Sequence, residues 1–261
     1  MAIVNVTPDS FSDGGNYFSA DKAIAHALRL VEDGAEILDI GGESTRPYSE
    51  PVSETEELDR VIPVIKELAK ATSIPISIDT SKAAVAKAAI EAGAEIINDV
   101  TGLEGDPNMI DVALETNAGV CAMHMQGTPQ DMQDNPTYDN VVEDILRYLA
   151  ERKSTLLEVG IAPEKICLDP GIGFGKTHEH NLILLKNAER FHDLNCPVLV
   201  GHSRKGFVGK LLEDKEIERD SGTLAISLMM AAKNIQVIRV HEVAQTARAL
   251  KVFHGIESLG E

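Results

Sequence analysis

The chain has 261 residues, 43% of them apolar, and a formal net charge of −18. That charge excludes a nucleic-acid surface, which needs a basic face, and leaves local cations, backbone N–H groups or a metal ion to hold any anionic ligand. No apolar run reaches the roughly 18 residues of a membrane span and no secretory signal is visible, so a cytoplasmic protein without nucleic-acid or membrane partners is expected.

Strand-like and helical patterns alternate along the chain. A strand over 2–5 is followed by a helix over 21–32 with Ile24, Ala27, Leu28 and Val31 on one face. A strand over 36–40 precedes a helix over 53–70, which opens on the capping-box pattern Ser53-x-x-Glu56 and carries Leu58, Ile62, Ile65 and Leu68 as its stripe. A strand over 75–79 leads to an Ala-rich helix over 81–92 that ends at Gly93. Strands over 95–98 and 119–123 come next, then a helix over 138–159 ending at Gly160. Strands over 165–169 and 197–201 follow, then two helices split near 219–222, a strand over 236–240 and a helix over 241–255. Gly-Ala-Glu-Ile occurs at both Gly34 and Gly93, each time where a helix end meets a strand start. Eight such units point to an α/β fold, a single (β/α)8 TIM barrel forming one domain over 1–261. A doubly wound open sheet is the runner-up, but no G-x-G-x-x-G follows the first strand. Cys121, Cys167 and Cys196 are odd in number and lack C-x-x-C spacing, so they read as reduced, buried side chains.

Polar or glycine-rich clusters follow nearly every strand, where a barrel gathers its functional residues. One at a time they are ambiguous. A lone Asp at a strand end is often a helix cap, Met123 and His124 read equally well as barrel packing, and Gly171-Ile172-Gly173-Phe174-Gly175 lacks phosphate-loop spacing. Together they say more. Asp79, Asn98 and Asp169 would point into one cavity and suit a flat heterocycle with an amino-pyrimidinone edge, with Lys205 donating to a ring atom. Arg46, Arg239 and His241 form a candidate anion clamp, and Asn5 offers an oxygen to Mg2+.

Seven strings carry a resemblance that spans the chain: Asn5-Val6-Thr7-Pro8-Asp9-Ser10-Phe11-Ser12-Asp13-Gly14-Gly15, Gly41-Gly42-Glu43-Ser44-Thr45-Arg46-Pro47, Ser77-Ile78-Asp79-Thr80, Asn98-Asp99, Asp169-Pro170-Gly171-Ile172-Gly173-Phe174-Gly175-Lys176, Ser203-Arg204-Lys205 and Arg239-Val240-His241. In that order they resemble the dihydropteroate synthase family. The resemblance implies a TIM barrel that joins 6-hydroxymethyl-7,8-dihydropterin diphosphate to 4-aminobenzoate, releasing pyrophosphate, and that is a sulfonamide target. It places the pterin on Asp79, Asn98, Met123, Asp169 and Lys205. The diphosphate falls to Asn5, Arg46, Arg239 and His241, with Mg2+ at Asn5, and aminobenzoate to Phe11, Thr45, Arg46, Pro47, Phe174 and Lys205. The catalytic residues it implies are Asp9, Arg46, Lys205, Arg239 and His241, and a homodimer is expected. Two departures stand out. Gly206 follows Arg204-Lys205 where many relatives carry Ser, and the chain begins within its first strand where relatives have residues ahead of it. Two other readings compete: a corrinoid-linked pterin methyltransferase, which has no need of a diphosphate clamp, and a non-catalytic paralogue, which should have lost a site residue.

Overall fold

All eight predicted strands form in a computed structural model that describes residues 1–7, 16–213 and 219–260. They are β1 (Ala2–Asn5), β2 (Leu38–Gly41), β3 (Ile76–Asp79), β4 (Ile96–Asp99), β5 (Gly119–Met123), β6 (Ile166–Asp169), β7 (Leu199–Val200) and β8 (Val237–Ile238). β1 to β6 form one parallel ladder in chain order, and β7 pairs with β8. Single parallel bridges, Leu168 to Val198 and Ala2 to Val240, join the two sheets at both seams. The strand order is that of a (β/α)8 barrel, with two seams held by bridges where the other neighbours have ladders.

The helices are α1 (Asn16–Glu32), α2 (Glu54–Ala71), α3 (Ala83–Glu91), α4 (Met109–Thr116), α5 (Val141–Glu158), α6 (His178–Lys186), α7 (Gly206–Leu211), α8 (Asp220–Ala232) and α9 (Val243–Glu257). α4 and α6 have eight and nine residues, too short for their periodicity to stand out in the sequence. α5 begins three residues later than its pattern because Asn140 caps it, accepting the N–H groups of Val142 and Glu143. Ser53 caps α2 by accepting the Glu56 N–H at 3.3 Å, but the Glu56 carboxylate turns to Arg60, so the reciprocal half of the capping box is replaced by an ion pair.

Alternation along the strands sorts their side chains. Leu38, Ile40, Ile76, Ile78, Ile97, Val120, Ile166 and Leu168 face outward and are buried against the helices. The registered alternates face inward: Asp39 and Gly41 beside Ser77 and Asp79, then Asn98, Cys121 and Met123, Cys167 and Asp169. The barrel's interior is therefore polar toward its C-terminal mouth. Cys121 and Cys196 are buried as expected, while Cys167 is half-buried.

The repeated Gly-Ala-Glu-Ile has one mechanical role. Gly34 and Gly93 adopt φ of 103° and 117°, and the following alanine N–H reaches back five residues, Ala35 to Leu30 and Ala94 to Ala89, both at 2.9 Å. Both glycines need positive φ, but they differ in crowding. An added Cβ would lie 3.2 Å from Ala247 Cβ at Gly34 and 2.5 Å from Ala69 Cβ at Gly93. Alanine at either should cost about 1–3 kcal/mol in backbone strain, with an overpacking cost of about 1–3 kcal/mol more at Gly93 alone. Gly93→Ala is expected to lower the urea midpoint more than Gly34→Ala; equal midpoints would show that Ala69 yields freely.

Candidate functional site

One guanidinium ties the inner faces of three strands. Arg239, just past β8, donates from Nε to Asp39 Oδ2 and from Nη2 to Asp79 Oδ2, each at 2.6 Å. Asn98 donates to the same Asp39 oxygen at 3.1 Å. Asp39 is fully buried, and its Oδ1 has no hydrogen-bond partner among the described residues. Burial pushes the Asp79 carboxyl up to about 7; the Arg239 guanidinium opposes this and the Asp39 charge adds to it.

The second half of the group comes from β6 and β7. Asp169 ends β6, is raised by burial and is drawn back by Lys205, and its Oδ1 accepts the Gly171 N–H at 2.7 Å. That bond leaves its second oxygen for a ligand, so the loop-capping and ligand-binding readings of Asp169 hold together. Lys205, after β7, donates to the Ile172 carbonyl and sits 4.4 Å from the Phe174 ring centroid. Burial lowers its ammonium to about 7, against the pull of Asp169. Lys176 is fully buried and bonds His124 Nδ1 at 3.0 Å and the Phe174 carbonyl at 2.8 Å, tying the loop after β5 to the loop after β6. The close approach extends to Gly171, where an added Cβ would stand 1.9 Å from the His124 carbonyl oxygen. The glycine-rich string is thus a tightly packed backbone crossing.

A third group lies at the seam between β8 and β1. His241 Nδ1 is 2.9 Å from Ser203 Oγ, which also accepts the His241 backbone N–H at 3.2 Å. Ser203 thus holds the imidazole through Nδ1 and the backbone of the same residue at once. Burial, with the nearby Arg204, Arg239 and Arg46 charges, lowers the imidazole to about 4. His241 is therefore neutral at pH 7, so any part it takes in the candidate anion clamp is through a hydrogen bond. A cavity of about 610 Å³, lined by Asn5, His26, Arg29, Arg204 and His241 among others, opens beside it.

The structure brings Asp79, Asn98, Asp169 and Lys205 together, with Met123 buried in register with Asp169. Arg239 sits on the carboxylates of that group, while Arg46 and Pro47 stand exposed on the loop after β2, with Thr45 half-buried beside them. Asp9 and Phe11 lie outside the described residues. Sequence reasoning missed Asp39, Lys176 and Ser203. Asp39 carried a signal, a charge inside the apolar run Ile37-Leu38-Asp39-Ile40. Among the described residues no cluster of His, Cys, Asp or Glu side chains could hold a metal ion. A lone oxygen at Asn5 still fits Mg2+, which keeps its waters and leans on substrate phosphates. Gly41 leaves the space open, since an added Cβ there would be 3.9 Å from Asn5 Oδ1 and 3.8 Å from Asp79 Oδ2.

A family model described as a pterin-binding enzyme matches residues 1–241. The dihydropteroate synthase of Escherichia coli (strain K12) is 46% identical over 261 residues, covering 100% of this chain and 92% of that protein. The Yersinia pestis dihydropteroate synthase in a sulfonamide drug complex superposes with a TM-score of 0.92 at 44% identity, over 99% of this chain and 94% of that one. The Xanthomonas albilineans dihydropteroate synthase with 4-aminobenzoic acid gives the same TM-score of 0.92 and 44% identity, over 99% and 93% of the two chains.

Removing Asp39 leaves the buried guanidinium with one carboxylate. Asp39→Ala is expected to lower folding stability by about 3–5 kcal/mol, the cost of breaking a buried ion pair from one side. Urea unfolding measures it, and a loss below about 1 kcal/mol would show that Asp79 alone satisfies Arg239.

Proposed function

The chain belongs to the family of pterin-binding enzymes and, within it, to the dihydropteroate synthases, and from that premise we propose how its residues divide the reaction. The reaction joins 6-hydroxymethyl-7,8-dihydropterin diphosphate to 4-aminobenzoate and releases pyrophosphate. The observation that carries the assignment is the linked set Asp39, Asp79, Asn98 and Arg239 at the barrel mouth, with Asp169 and Lys205 close enough to act on one another's charge. After Arg239 and Gly171 are served, Asp79 and Asp169 each keep one carboxylate oxygen for the N–H donors of the pterin edge. The Asn98 amide gives one N–H to Asp39 and keeps its second N–H and its carbonyl oxygen for the ligand. Lys205 donates to a ring acceptor, and the buried Met123 closes the floor.

At the exocyclic carbon the C–O bond breaks with its electron pair going to the diphosphate. The arylamine lone pair forms the C–N bond, and the resulting ammonium loses its proton to solvent. An arylamine is neutral at pH 7, so no side chain need act as a strong base. Arg46 and the His241 ring donate to the departing diphosphate as its charge grows. Asn5 would hold Mg2+, which when bound supplies positive charge to the diphosphate. Thr45, Arg46, Pro47, Phe174 and Lys205 surround the aminobenzoate, and sulfonamides compete for the same place. The 261 residues act as one domain, in the cytoplasm, as a homodimer; exposed apolar side chains on the outer helices, Leu211, Met229, Val252 and Ile256, support the last point.

Pyrophosphate release from the pterin diphosphate, dependent on 4-aminobenzoate and Mg2+, tests the reaction; release without the amine would refute it. Pterin affinity should peak near neutral pH. Below about 7 the Asp79 carboxyl takes up a proton and loses the charge that draws the ligand's N–H donors, and above about 7 Lys205 loses its charge. Lys205→Arg stays charged and should abolish only the alkaline limb. Calorimetry at a series of pH values reads this, and a flat profile would contradict the roles of both residues. Gly206 begins α7, and an added Cβ there meets nothing within 4 Å. Gly206→Ser should fit without strain and add a hydrogen bond to the aminobenzoate carboxylate, lowering KM for that substrate roughly tenfold. An unchanged KM would show that the carboxylate is held elsewhere.

A further inference from the structure

An ion cluster lies between the barrel and the loop that carries Thr45, Arg46 and Pro47, and the chemistry above makes no use of it. Lys82 Nζ donates to Glu57 Oε2 at 2.6 Å and to Glu43 Oε2. Glu57, on α2, is fully buried, and its Oε1 has no partner among the described residues. Lys82 follows the pterin carboxylate Asp79 by three positions, and its backbone N–H donates to Thr80 Oγ1 at 3.2 Å. The other oxygen of Glu43 accepts the Val52 N–H at 3.1 Å. That single carboxylate therefore joins the two ends of the excursion from 43 to 52, like a clasp at the neck of the loop. Beneath it, Arg60 holds the Gly42 carbonyl at 2.7 Å. Above it the loop is bonded to itself: Ser49 donates its backbone N–H to the Arg46 carbonyl at 3.1 Å and its hydroxyl to the Ser44 carbonyl.

The cluster has one rigid side and one side that reaches the loop. Glu57 cannot move, since α2 packs it into the core and an added Cβ on Gly42 would lie 2.9 Å from its Cγ. Glu43 follows Gly41, the last residue of β2, and Gly42; its carboxylate holds the neck of the loop, while Tyr48 and Ser49 bond the tip to the loop after β5. One ammonium bridges the two. It is anchored at the end of β3, the strand that ends in Asp79, so the loop takes its position from the same strand as the pterin site. We propose that Lys82 is a positioning residue for 4-aminobenzoate: it touches no substrate and acts by fixing, through Glu43, the loop that presents Thr45, Arg46 and Pro47. The inference rests on the assignment of that loop to the aminobenzoate.

Lys82→Met alone strands the buried Glu57 charge and is expected to destabilise the fold. The double variant Lys82→Met with Glu57→Leu removes both members of the buried pair and keeps the protein testable. In steady-state assays the double variant should raise KM for 4-aminobenzoate roughly tenfold or more, since small misplacements of a binding group cost that much. Its affinity for a pterin lacking the diphosphate should stay within about threefold of the parent. Lys82→Arg, which keeps the charge, should restore most of the loss. Thr45→Ala serves as the reference for the loop. An unchanged KM in Thr45→Ala would overturn the assignment of the loop itself. A raised KM in Thr45→Ala with an unchanged KM in the double variant would overturn the role of Lys82 alone. Equal losses of pterin and aminobenzoate affinity in the double variant would reduce the cluster to general stability, against the proposal.

Discussion

Arg239 makes a polar barrel interior possible. Asp39 is fully buried and Asp79 nearly so, and two carboxylates so placed would repel each other strongly in a medium that screens poorly. The guanidinium forks between them and turns the repulsion into a bonded triad to which Asn98 adds a fourth member. The balance is incomplete. An unfolded carboxyl titrates near ~3.9, whereas Asp79 sits at about 7. A pKa raised on folding means that the folded state holds the proton more tightly. The stability Asp79 contributes is therefore full below the unfolded value and lost as pH rises through about 7. The empty site at neutral pH is under electrostatic tension that a ligand offering N–H donors relieves, so selectivity for such an edge follows from how the site is built.

The same tension appears with opposite sign in the cations. Lys176 and Lys205 are buried and lose proton affinity, and His241 is held neutral although the ligand beside it would be anionic. Within a chain of net charge −18, the site concentrates its positive charge in a few positions. It keeps that charge as guanidinium at Arg46 and Arg239, which stay ionised at any working pH. Lys205 is different. Its place against Phe174, with Asp169 at hand, makes its charge depend on what occupies the cavity.

The sequence was most legible where one residue settles local geometry. Gly34 and Gly93 announce helix ends because only glycine takes φ above 100° cheaply. The strands were legible because burial on both faces makes them continuous apolar runs, and the site residues because barrel chemistry gathers at strand ends. α4 and α6 were not, since eight or nine residues give barely two helical turns. The destination of Arg239 was illegible for another reason. Its partners lie 200 and 160 residues away in sequence, and nothing local distinguishes an arginine that serves an anion from one that serves Asp39 and Asp79. Asp39 looked like one polar residue in an apolar strand, and its meaning depends wholly on register. The same holds for Glu43, Glu57 and Lys82, each an ordinary surface type by composition and together a cluster with its Glu57 end fully buried.

Two kinds of positioning therefore coexist at one mouth. The proposed pterin group is built mostly on strand ends joined by a ladder, with Asp39 and Asp79 held by ion pairs to Arg239. The proposed aminobenzoate group is built largely on the loop after β2, which is tied to the barrel through Glu43 and Arg60 and to the loop after β5 through Tyr48 and Ser49. A loop of that kind opens locally at lower cost than the strands beneath it. On the proposed assignment Arg46, exposed on that loop, would meet the diphosphate and order the loop further. Ordering the loop on the first substrate lowers the entropy left for the second to overcome. On the proposed assignment, the division between a ladder-built group and a clasped loop would favour pterin diphosphate before the amine, with no conformational change required in the barrel itself.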